Sequence, residues 1–431
     1  MSSFVVGRSP SPTALRARPG WTTGFPARST AMAALCTLLP IWYLLGVLAM
    51  LWCLPVLVLG SWLLANRPVV LPRGIGLLVA LLALVAVSGL QLRSIGSLAL
   101  FGYRLALFAS LATVYVWMVT VPDTVLPSRR IAGWWATAWV WLVAFGYGAL
   151  VFQGASTPSP FQLVLPNALA AEEYLRDLTV VRLAEVQSWL GFPLPRPAAP
   201  FAYANGWGSA LGLLTPWFVH CWIVDATRQR RRLGVALALA ALVPIVVSMN
   251  RGLWLSLGVV AVVYAVRSAL DGDRRALAGI GLLAAAVGVV VVATPLGSLI
   301  TAKFDNAADS NAARTSVYQS ALGSALDSPL VGFGSPRRAS EDLPLVGTQG
   351  MLWYLLQSHG VVAAGLFVGW LVGVVRRAAR LATPIGVAAF ASVLVALVQV
   401  PFYGLLPQLP VVGVAAGICW RERLRTAGAG R

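Results

Sequence analysis

Long apolar segments recur along almost the whole chain, and they constrain the fold more than any single motif does. Apolar residues make up 58% of the 431 residues, and charged residues make up only 11%. The mean hydropathy is +0.80. A soluble domain needs a largely polar surface and has no core large enough to bury this much apolar sequence. The composition therefore predicts a polytopic membrane protein.

About twelve apolar segments, of roughly 16 to 25 residues each, have the length of a helix that crosses ~30 Å of hydrocarbon. They cover residues 31–48, 50–66, 74–92, 99–121, 131–152, 208–226, 233–249, 252–267, 276–296, 351–375, 384–402 and 405–420. The predicted fold class is an all-α polytopic membrane protein with a transmembrane domain over residues 31–420. Residues 1–30 are predicted to form a disordered basic tail, and residues 421–431 form a second, short tail.

The basic residues are distributed unevenly along this predicted topology. The chain has 32 Lys and Arg residues against 14 acids, which gives a net charge of +18. When both termini are placed in the cytoplasm, most of the basic residues fall in the cytoplasmic tails and connections, as the positive-inside rule requires. The positive charge therefore indicates membrane orientation, and it does not indicate a nucleic-acid partner.

The cysteines and a glycine series are interpreted as packing features. Cys36, Cys53, Cys221 and Cys419 all fall within predicted spans and lack the spacing of metal ligands, so no metal site is predicted from them. Gly365, Gly369 and Gly373 recur at the spacing that allows two membrane helices to approach closely.

Two outer connections, residues 153–207 and 297–350, are too long to be simple turns. Any chemistry outside the membrane has to use them, since they contain the acidic residues of that side. In the first connection, residues 167–190 are predicted to form a helix from their Ala, Glu, Leu and Arg content. Glu172 and Glu173 in this segment are candidate general bases.

The first outer connection ends in Arg-Pro-Ala-Ala-Pro-Phe-Ala-Tyr-Ala-Asn-Gly-Trp-Gly at residues 196–208. Its prolines favour an extended chain, and its glycines allow close backbone approach. Four of its side chains offer flat faces or a two-way hydrogen bond to a sugar or a lipid headgroup: Phe201, Tyr203, Asn205 and Trp207. An aromatic belt at the membrane interface is an equally good interpretation.

In the second outer connection, Ser310 is a candidate N-cap for a helix over residues 311–326. One face of this helix would carry Arg314, Val317, Tyr318 and Ala321. Arg314 then either points towards the membrane domain or is exposed in a solvated first turn. After the helix, Gly332-Phe333-Gly334 precedes Arg337 and Arg338, and such a turn can hold an anion through backbone N–H groups and guanidiniums.

Two arginines fall at or within predicted spans. Arg251 lies in Ser-Met-Asn-Arg-Gly-Leu-Trp, at a break between two spans, where a guanidinium that cannot be neutralised needs an anionic partner. Arg104 lies midway along another span and binds either an anionic ligand or the carbonyl groups of a neighbouring helix. The two histidines, His220 and His359, are predicted to be packed or interfacial residues.

Several of these features follow one another in a characteristic order. An Asn-Arg-Gly-Leu-Trp corner at residues 250–254 is followed by a long outer loop bearing Arg314, the Gly332-Phe333-Gly334 turn, and a span containing Gly360. In this order they closely resemble the O-antigen ligase and O-antigen polymerase superfamily. The resemblance covers roughly residues 31–420 and is most specific between residues 248 and 367. Residues 200–208 and 347–353 look like the actinobacterial branch.

The resemblance implies a GT-C-like membrane glycosyltransferase, a ligase or a polymerase, at the outer face of the bacterial cytoplasmic membrane. Such enzymes move a glycan from a polyprenyl-pyrophosphate carrier, such as undecaprenyl pyrophosphate, onto an acceptor hydroxyl of a lipid or glycan. They invert the anomeric centre and use neither a metal ion nor a cofactor. Arg251 and Arg314 match the family's pyrophosphate-binding arginines, and Arg104, Arg337 and Arg338 are further candidates for that role.

One position departs from the family pattern. Family members usually carry His-Asn at the start of the span after the second loop, and the His is thought to engage the acceptor hydroxyl. Counting back from Gly360 places Gln349 and Gly350 there, and a glutamine can orient a hydroxyl but cannot take its proton. The candidate bases are then Glu341, Asp342, Glu172 and Glu173. Alternatively, the departure of the pyrophosphate precedes the proton transfer, and no strong base is needed.

The sequence leaves two other functions open. The first alternative is a transporter of polyprenol-linked glycan, which would move the same lipid without forming a bond. The second is a non-catalytic scaffold of envelope assembly. Only a transferase releases polyprenyl pyrophosphate from a lipid-linked donor.

Overall fold

The computed structural model describes residues 25–66, 68–92, 94–170, 172–188, 193–293, 307–337 and 350–429. Most of these residues are helical, and the described strands form only two short antiparallel pairs. The predicted all-α membrane fold is confirmed at this level. The helices before the first long outer connection are α1 (Phe25–Thr37), α2 (Leu39–Leu44), α3 (Leu48–Leu51), α4 (Leu54–Ala65), α5 (Ile75–Ser88), α6 (Ile95–Thr120) and α7 (Ser128–Val151).

The first outer connection contains three short helices and both strand pairs. Its helices are α8 (Pro160–Leu163), α9 (Asn167–Ala170) and α10 (Glu173–Thr179), and its strands are β1 (Ser156–Thr157), β2 (Val181–Arg182), β3 (Ala184–Gln187) and β4 (Leu194–Pro197). The remaining helices are α11 (Ala204–Val219), α12 (Arg228–Val247), α13 (Arg251–Leu270), α14 (Arg274–Ala293), α15 (Ala307–Asp327), α16 (Met351–Ala378), α17 (Pro384–Gln399) and α18 (Leu409–Ala429).

Within the described residues, six helical segments are long and apolar enough to cross a membrane. They are Leu48–Ala65, Gly96–Thr120, Ser128–Val151, Ala204–Val224, Arg251–Leu270 and Met351–Ala378. Two shorter apolar helices, Ile75–Gln91 and Pro384–Gln399, lie at further predicted spans. Helices α12, α14 and α18 overlap three more. The total of about twelve spans and the GT-C-like architecture remain predictions.

The first predicted span, residues 31–48, is wrong as a single helix. The chain breaks after Thr37 and again at Gly46, which has a φ of +78°. Ser159 of the first outer connection packs directly against Gly46, and the Phe161 N–H donates to the Leu45 carbonyl at 3.2 Å. A loop that follows more than 100 residues later in the sequence therefore occupies the break, and hydropathy cannot reveal such a contact.

The helix predicted over residues 167–190 is also wrong in its second half. Helix α10 ends at Thr179, and β3 follows, with Glu185 opposite Arg196 of β4. Arg196 is buried, and its Nε donates to the Ser248 carbonyl at 2.8 Å. Pairing with residues 194–197 thus prevails over the helical propensity of this segment, because the strand pair packs onto the corner that precedes α13.

Helix α6 runs through the centre of the packed domain and contacts α5 and α18. Gly413 and Gly417 of α18 face α6, and a Cβ at Gly417 would collide with Met118. Within the described residues, the predicted packing role of the Gly365 series is wrong at two positions, since a Cβ at Gly365 or Gly369 would meet none of their atoms within 4 Å. The small-residue contact predicted for one helix is instead made by another.

Candidate functional site

Arg251 is the first residue of α13 and stands at a sharp corner after α12. Met249 has a φ of +47°, which turns the chain, and the Asn250 side chain then caps α13 by accepting a hydrogen bond from the Leu253 N–H at 3.3 Å. The Arg251 side chain is half-buried. The predicted break before Arg251 is present, and a local N-cap explains why an asparagine precedes the arginine.

Contacts from distant segments hold the same corner. Asn250 donates to the Ala204 carbonyl at 3.2 Å and accepts a hydrogen bond from the Tyr403 hydroxyl. Gly252 and Gly208 leave no room for a side chain, because a Cβ at Gly252 would lie 2.5 Å from the Tyr403 hydroxyl and one at Gly208 would collide with Asn250. The position of Arg251 is therefore fixed by the start of α11 and by the chain that follows α17.

Arg104 is buried on α6, with 8% of its surface exposed. Its guanidinium carbon lies 5.6 Å from the centroid of the Tyr174 ring and 5.7 Å from that of the Tyr354 ring. Burial raises the pKa of the Tyr174 hydroxyl, against the opposing effect of Arg104, so this residue offers a neutral aromatic face. In the described part of the chain, no hydrogen bond or ion pair reaches the Arg104 guanidinium.

A chain of hydrogen bonds extends from Tyr354 to α5. The Ser88 hydroxyl donates its single proton to the Val85 carbonyl at 2.6 Å, so the His359 Nδ1, 2.7 Å from Ser88 Oγ, has to act as the donor. The His359 Nε2 then accepts from the Tyr354 hydroxyl at 3.0 Å. The prediction that His359 is a packed histidine is confirmed, since it is fully buried and both ring nitrogens are bonded.

Helix α16 is kinked beside this cluster. Gly360 adopts a φ of +86° and a ψ of 171°, which interrupts the helical hydrogen bonds. The segment after α15 replaces them: the N–H groups of Phe333 and Gly334 donate to the carbonyls of Gln357 and Ser358 at 3.1 and 2.8 Å. These two amides are thus committed to the kinked helix, and the sequence-based interpretation that they hold an anion is wrong.

Arg337 is exposed beyond this turn, and its guanidinium carbon lies 4.0 Å from the centroid of the Phe333 ring. Its backbone is held by Gln357, whose side chain accepts from the Arg337 N–H at 3.1 Å and donates to the Arg337 carbonyl at 3.3 Å. Arg337 is therefore well positioned but lies outside the buried cluster around Arg104.

Helix α15 packs on the outer end of α16 through the predicted face. Val317 and Ala321 are buried, and the ring of Tyr318 stacks on Trp353 with the ring centroids 4.2 Å apart. The helix is longer than predicted, and it contains Arg314 one turn before Val317 and Tyr318. The contacts of the Arg314 side chain lie outside the described residues, so its role at the site remains a prediction.

The predicted binding residues of the first outer connection have separate surroundings. Trp207 is fully buried and donates its indole N–H to the Leu142 carbonyl at 2.9 Å, which gives it a packing role. The Tyr203 hydroxyl donates to Asp177 at 2.7 Å, and the Phe201 ring covers Gly206. Asn205 is half-buried. Substrate contact by Phe201, Tyr203 and Asn205 remains a prediction.

The candidate bases of the first outer connection differ in exposure. The Glu172 carboxylate packs against Gly96 in the first turn of α6. Glu173 is exposed at the start of α10. Four further predicted residues lie outside the described residues: Arg338, Glu341, Asp342 and Gln349. Among the residues that the structure describes, no group of three or more potential metal ligands converges.

Sequence reasoning missed Tyr174, Tyr354 and Tyr403. Tyr174 lies in the helix predicted over residues 167–190, which showed no clear functional face, whereas Tyr354 and Tyr403 lie near the ends of helices, where tyrosine is common in any membrane protein. Each becomes notable only through a contact with a residue more than 50 positions away. Spacing in the sequence therefore carries no signal for them.

The part of the chain that contains the Arg251 corner matches a known protein family. Residues 235–354 match a family model described as O-antigen ligase. The match supports membership of the O-antigen ligase superfamily. The O-antigen ligase region begins within α12 and ends at Tyr354, and it contains the Asn250-Arg251 corner and Arg314. It covers less than half of the chain and leaves out Arg104. No curated protein matches the chain.

Proposed function

We propose that this protein is a membrane glycosyltransferase, a ligase or a polymerase, that uses a glycan linked to polyprenyl pyrophosphate. The acceptor is a hydroxyl of a lipid or glycan at the outer face of the cytoplasmic membrane. The O-antigen ligase match and the apolar helices support a glycosyl-transferring membrane enzyme. The proposal adds four features to this: the lipid-linked donor, the inversion of configuration, the metal-independent mechanism and the GT-C-like architecture.

The buried Arg104 is the observation that carries the proposal. A permanent cation within a membrane helix is unfavourable unless an anion or hydrogen-bond acceptors compensate it. The described residues supply only the faces of Tyr174 and Tyr354, each worth about 0.5–2 kcal/mol. An anion that reaches this depth must be attached to an apolar group, and the pyrophosphate of a lipid carrier fits that description.

The charge of the site matches the proposed reaction. The acceptor oxygen attacks the anomeric carbon, and the bond from that carbon to the pyrophosphate oxygen breaks on the opposite face. The departing pyrophosphate gains negative charge. Guanidiniums that are already in position in a water-poor site stabilise this charge. Arg104, Arg251 and Arg314 are the proposed donors of this stabilisation. The acceptor proton passes to a carboxylate of the outer loops or, after the glycosidic bond to the carrier has broken, to the released pyrophosphate or to water.

Substitution of Arg104 tests the proposal. Arg104→Lys replaces a planar, bidentate donor with a point charge, and Arg104→Gln removes the charge. We expect turnover to fall on the order of 100-fold in Arg104→Gln, the usual effect of losing one donor to a developing negative charge. The measurement is release of polyprenyl pyrophosphate from a lipid-linked donor by purified protein in nanodiscs.

Arg376→Lys is the matched control, because Arg376 is exposed near the end of α16. It should retain wild-type turnover. Wild-type turnover in Arg104→Gln would remove Arg104 from the site. A wild-type protein that binds the lipid-linked glycan and moves it across the bilayer without releasing pyrophosphate would instead establish a transporter.

A further inference from the structure

An open cleft lies at the outer ends of α5 and α6, on the side of the turn that follows α15. Its volume is about 540 Å³, and it is lined by Leu90, Gln91, Leu92, Ser94, Ser97, Phe333, Ser335 and Arg337. Its volume lies within the range of small-molecule sites, and its lining is mostly polar. Of these residues, only Phe333 and Arg337 belong to a motif that was assigned a role from the sequence.

The two walls of the cleft are clamped together. Gly334, with a φ of +74°, lies so close to α5 that a Cβ would approach the Ser88 carbonyl oxygen to 2.5 Å. Gln357 holds the backbone of Arg337 through both its amide oxygen and its amide nitrogen. The cleft therefore has a defined shape before any ligand binds, which lowers the entropy lost on binding.

The lining has the chemistry of a carbohydrate site. Ser94 donates its hydroxyl proton to Ser97 Oγ at 2.7 Å, and Ser97 donates to the Ser94 carbonyl at 2.9 Å. Ser94 Oγ also accepts from the Ser97 N–H at 3.2 Å. Each hydroxyl oxygen thus keeps one lone pair that can accept from a sugar hydroxyl, while the Arg337 guanidinium donates. The Phe333 ring and the side chains of Leu90 and Leu92 offer apolar contact to the C–H faces of a sugar. Among the described residues that line the cleft, the charged side chain is that of Arg337.

The cleft lies in line with Arg104. Ser97 and Arg104 are seven residues apart on α6, which places them on one face of the helix and about 10.5 Å apart along its axis. Phe101, between them on that face, lies against His359, with the ring centroids 6.5 Å apart. The cleft is therefore the polar site nearer the start of α6, and Arg104 is the deeper cation.

We propose that this cleft binds the sugars of the lipid-linked donor that lie next to its pyrophosphate. The inference rests on the proposed function, since it takes the pyrophosphate to bind at Arg104. A lipid-linked glycan carries its phosphates between the apolar tail and the sugars, so its sugars lie outward of Arg104. The separation of about 10.5 Å along α6 corresponds to the first one or two sugar units.

The test fills the cleft with larger side chains and leaves Arg104 unchanged. Ser97→Phe fills it from α6, and Ser335→Trp fills it from the opposite wall. Leu98→Phe is the matched control, because Leu98 neighbours Ser97 but is 48% exposed on the outer surface of the helix. Each purified variant is incubated in nanodiscs with two probes, undecaprenyl pyrophosphate and the lipid-linked glycans extracted from source membranes. Mass spectrometry measures how much of each lipid is retained.

We expect both cleft-filling variants to retain undecaprenyl pyrophosphate within twofold of the wild type and to retain at least tenfold less glycosylated lipid. Leu98→Phe should match the wild type for both probes. If both filled variants retain glycosylated and bare lipid in the same ratio as the wild type, the cleft does not bind the donor sugars. This holds even if Arg104→Gln loses both lipids. If Arg104→Gln retains both lipids fully, the pyrophosphate site of the proposed function is overturned instead.

Discussion

Arg104 and Arg251 are held in the helical domain by different means. Arg104 lies between two tyrosine rings within the helical core, so its contacts define where an anion approaches. Arg251 begins a helix, and its backbone position follows from the hydrogen bonds of Asn250 with Tyr403, Ala204 and Leu253. The Asn250 contacts do not involve the Arg251 guanidinium, so an Arg251→Lys substitution tests chemistry more than folding.

Arg251→Lys is expected to leave the thermal unfolding temperature unchanged and to lower transfer activity at least tenfold, because an ammonium cannot form the bidentate contact of a guanidinium with phosphate. Arg267→Lys is the control on the same helix: Arg267 pairs with Asp271 at 3.7 Å at the other end of α13. Turnover and fluorescence-detected unfolding of the purified variants check the prediction. Wild-type turnover in Arg251→Lys would exclude this residue from pyrophosphate binding.

Among the elements, α16 links the two outer connections to the membrane core. Its first two turns contact α15, and its kink at Gly360 opens carbonyls that accept from residues 333 and 334. The Val361 N–H, freed by the same kink, donates to the Pro329 carbonyl at 2.8 Å. The kink therefore replaces lost helical hydrogen bonds with bonds to the second outer connection, and it places His359 and Tyr354 beside Arg104.

Gly360→Ala is expected to destabilise this junction. The backbone conformation of Gly360 is essentially restricted to glycine, and a Cβ would approach the Pro329 carbonyl oxygen to 2.5 Å. The strain is roughly 1–3 kcal/mol. We expect a lower unfolding temperature and faster hydrogen exchange at Phe333 and Gly334, measured by mass spectrometry.

Gly365→Ala on the same helix is the control, because a Cβ there meets nothing within 4 Å. An alanine in a regular helical position is favoured over glycine by about 0.5–1 kcal/mol. This variant should be as stable as the wild type or slightly more stable. Equal exchange rates at Phe333 and Gly334 in both variants would contradict the role assigned to the kink.

For the whole molecule, a second set of contacts ties the helices together at the end of the bundle opposite the candidate site. Arg421 of α18 is buried and donates to the carbonyls of Val121 and Leu126, and its Nη1 lies 3.6 Å from an oxygen of Asp123. Arg129 pairs with Asp225 at 2.9 Å. These basic residues belong to connections that the charge distribution places in the cytoplasm.

Reporter fusions test this orientation directly. Fusions after Gly154 and after Ala308 should report an extracytoplasmic location, and fusions after Arg232 and Arg377 a cytoplasmic one. Alkaline phosphatase and fluorescent protein are suitable reporters, because each is active on only one side of the membrane. Opposite locations for the two long outer connections would contradict the proposed site, since both contribute to it.

Local sequence determined much of the secondary structure. Apolar runs give the helices because an apolar segment in a membrane has to satisfy its backbone hydrogen bonds internally. The corner at Asn250 and the cap at Ser94 follow from a side chain within three residues of the amide that it caps. The packed face of α15 could be predicted for the same reason, because helical periodicity depends on neighbours one turn away.

Tertiary structure alone decided how the candidate site is assembled. Three features each depend on a contact with another segment of the chain: the break at Gly46, the burial of Arg196 against Ser248, and the kink at Gly360. Arg104 could be recognised from the sequence as a buried charge, but the tyrosines around it could not. Their rings come from an outer loop and from α16, and only the folded chain brings them to one cation. Hydropathy and helical periodicity depend on neighbouring residues, so they specify helices without specifying which side chains meet between them.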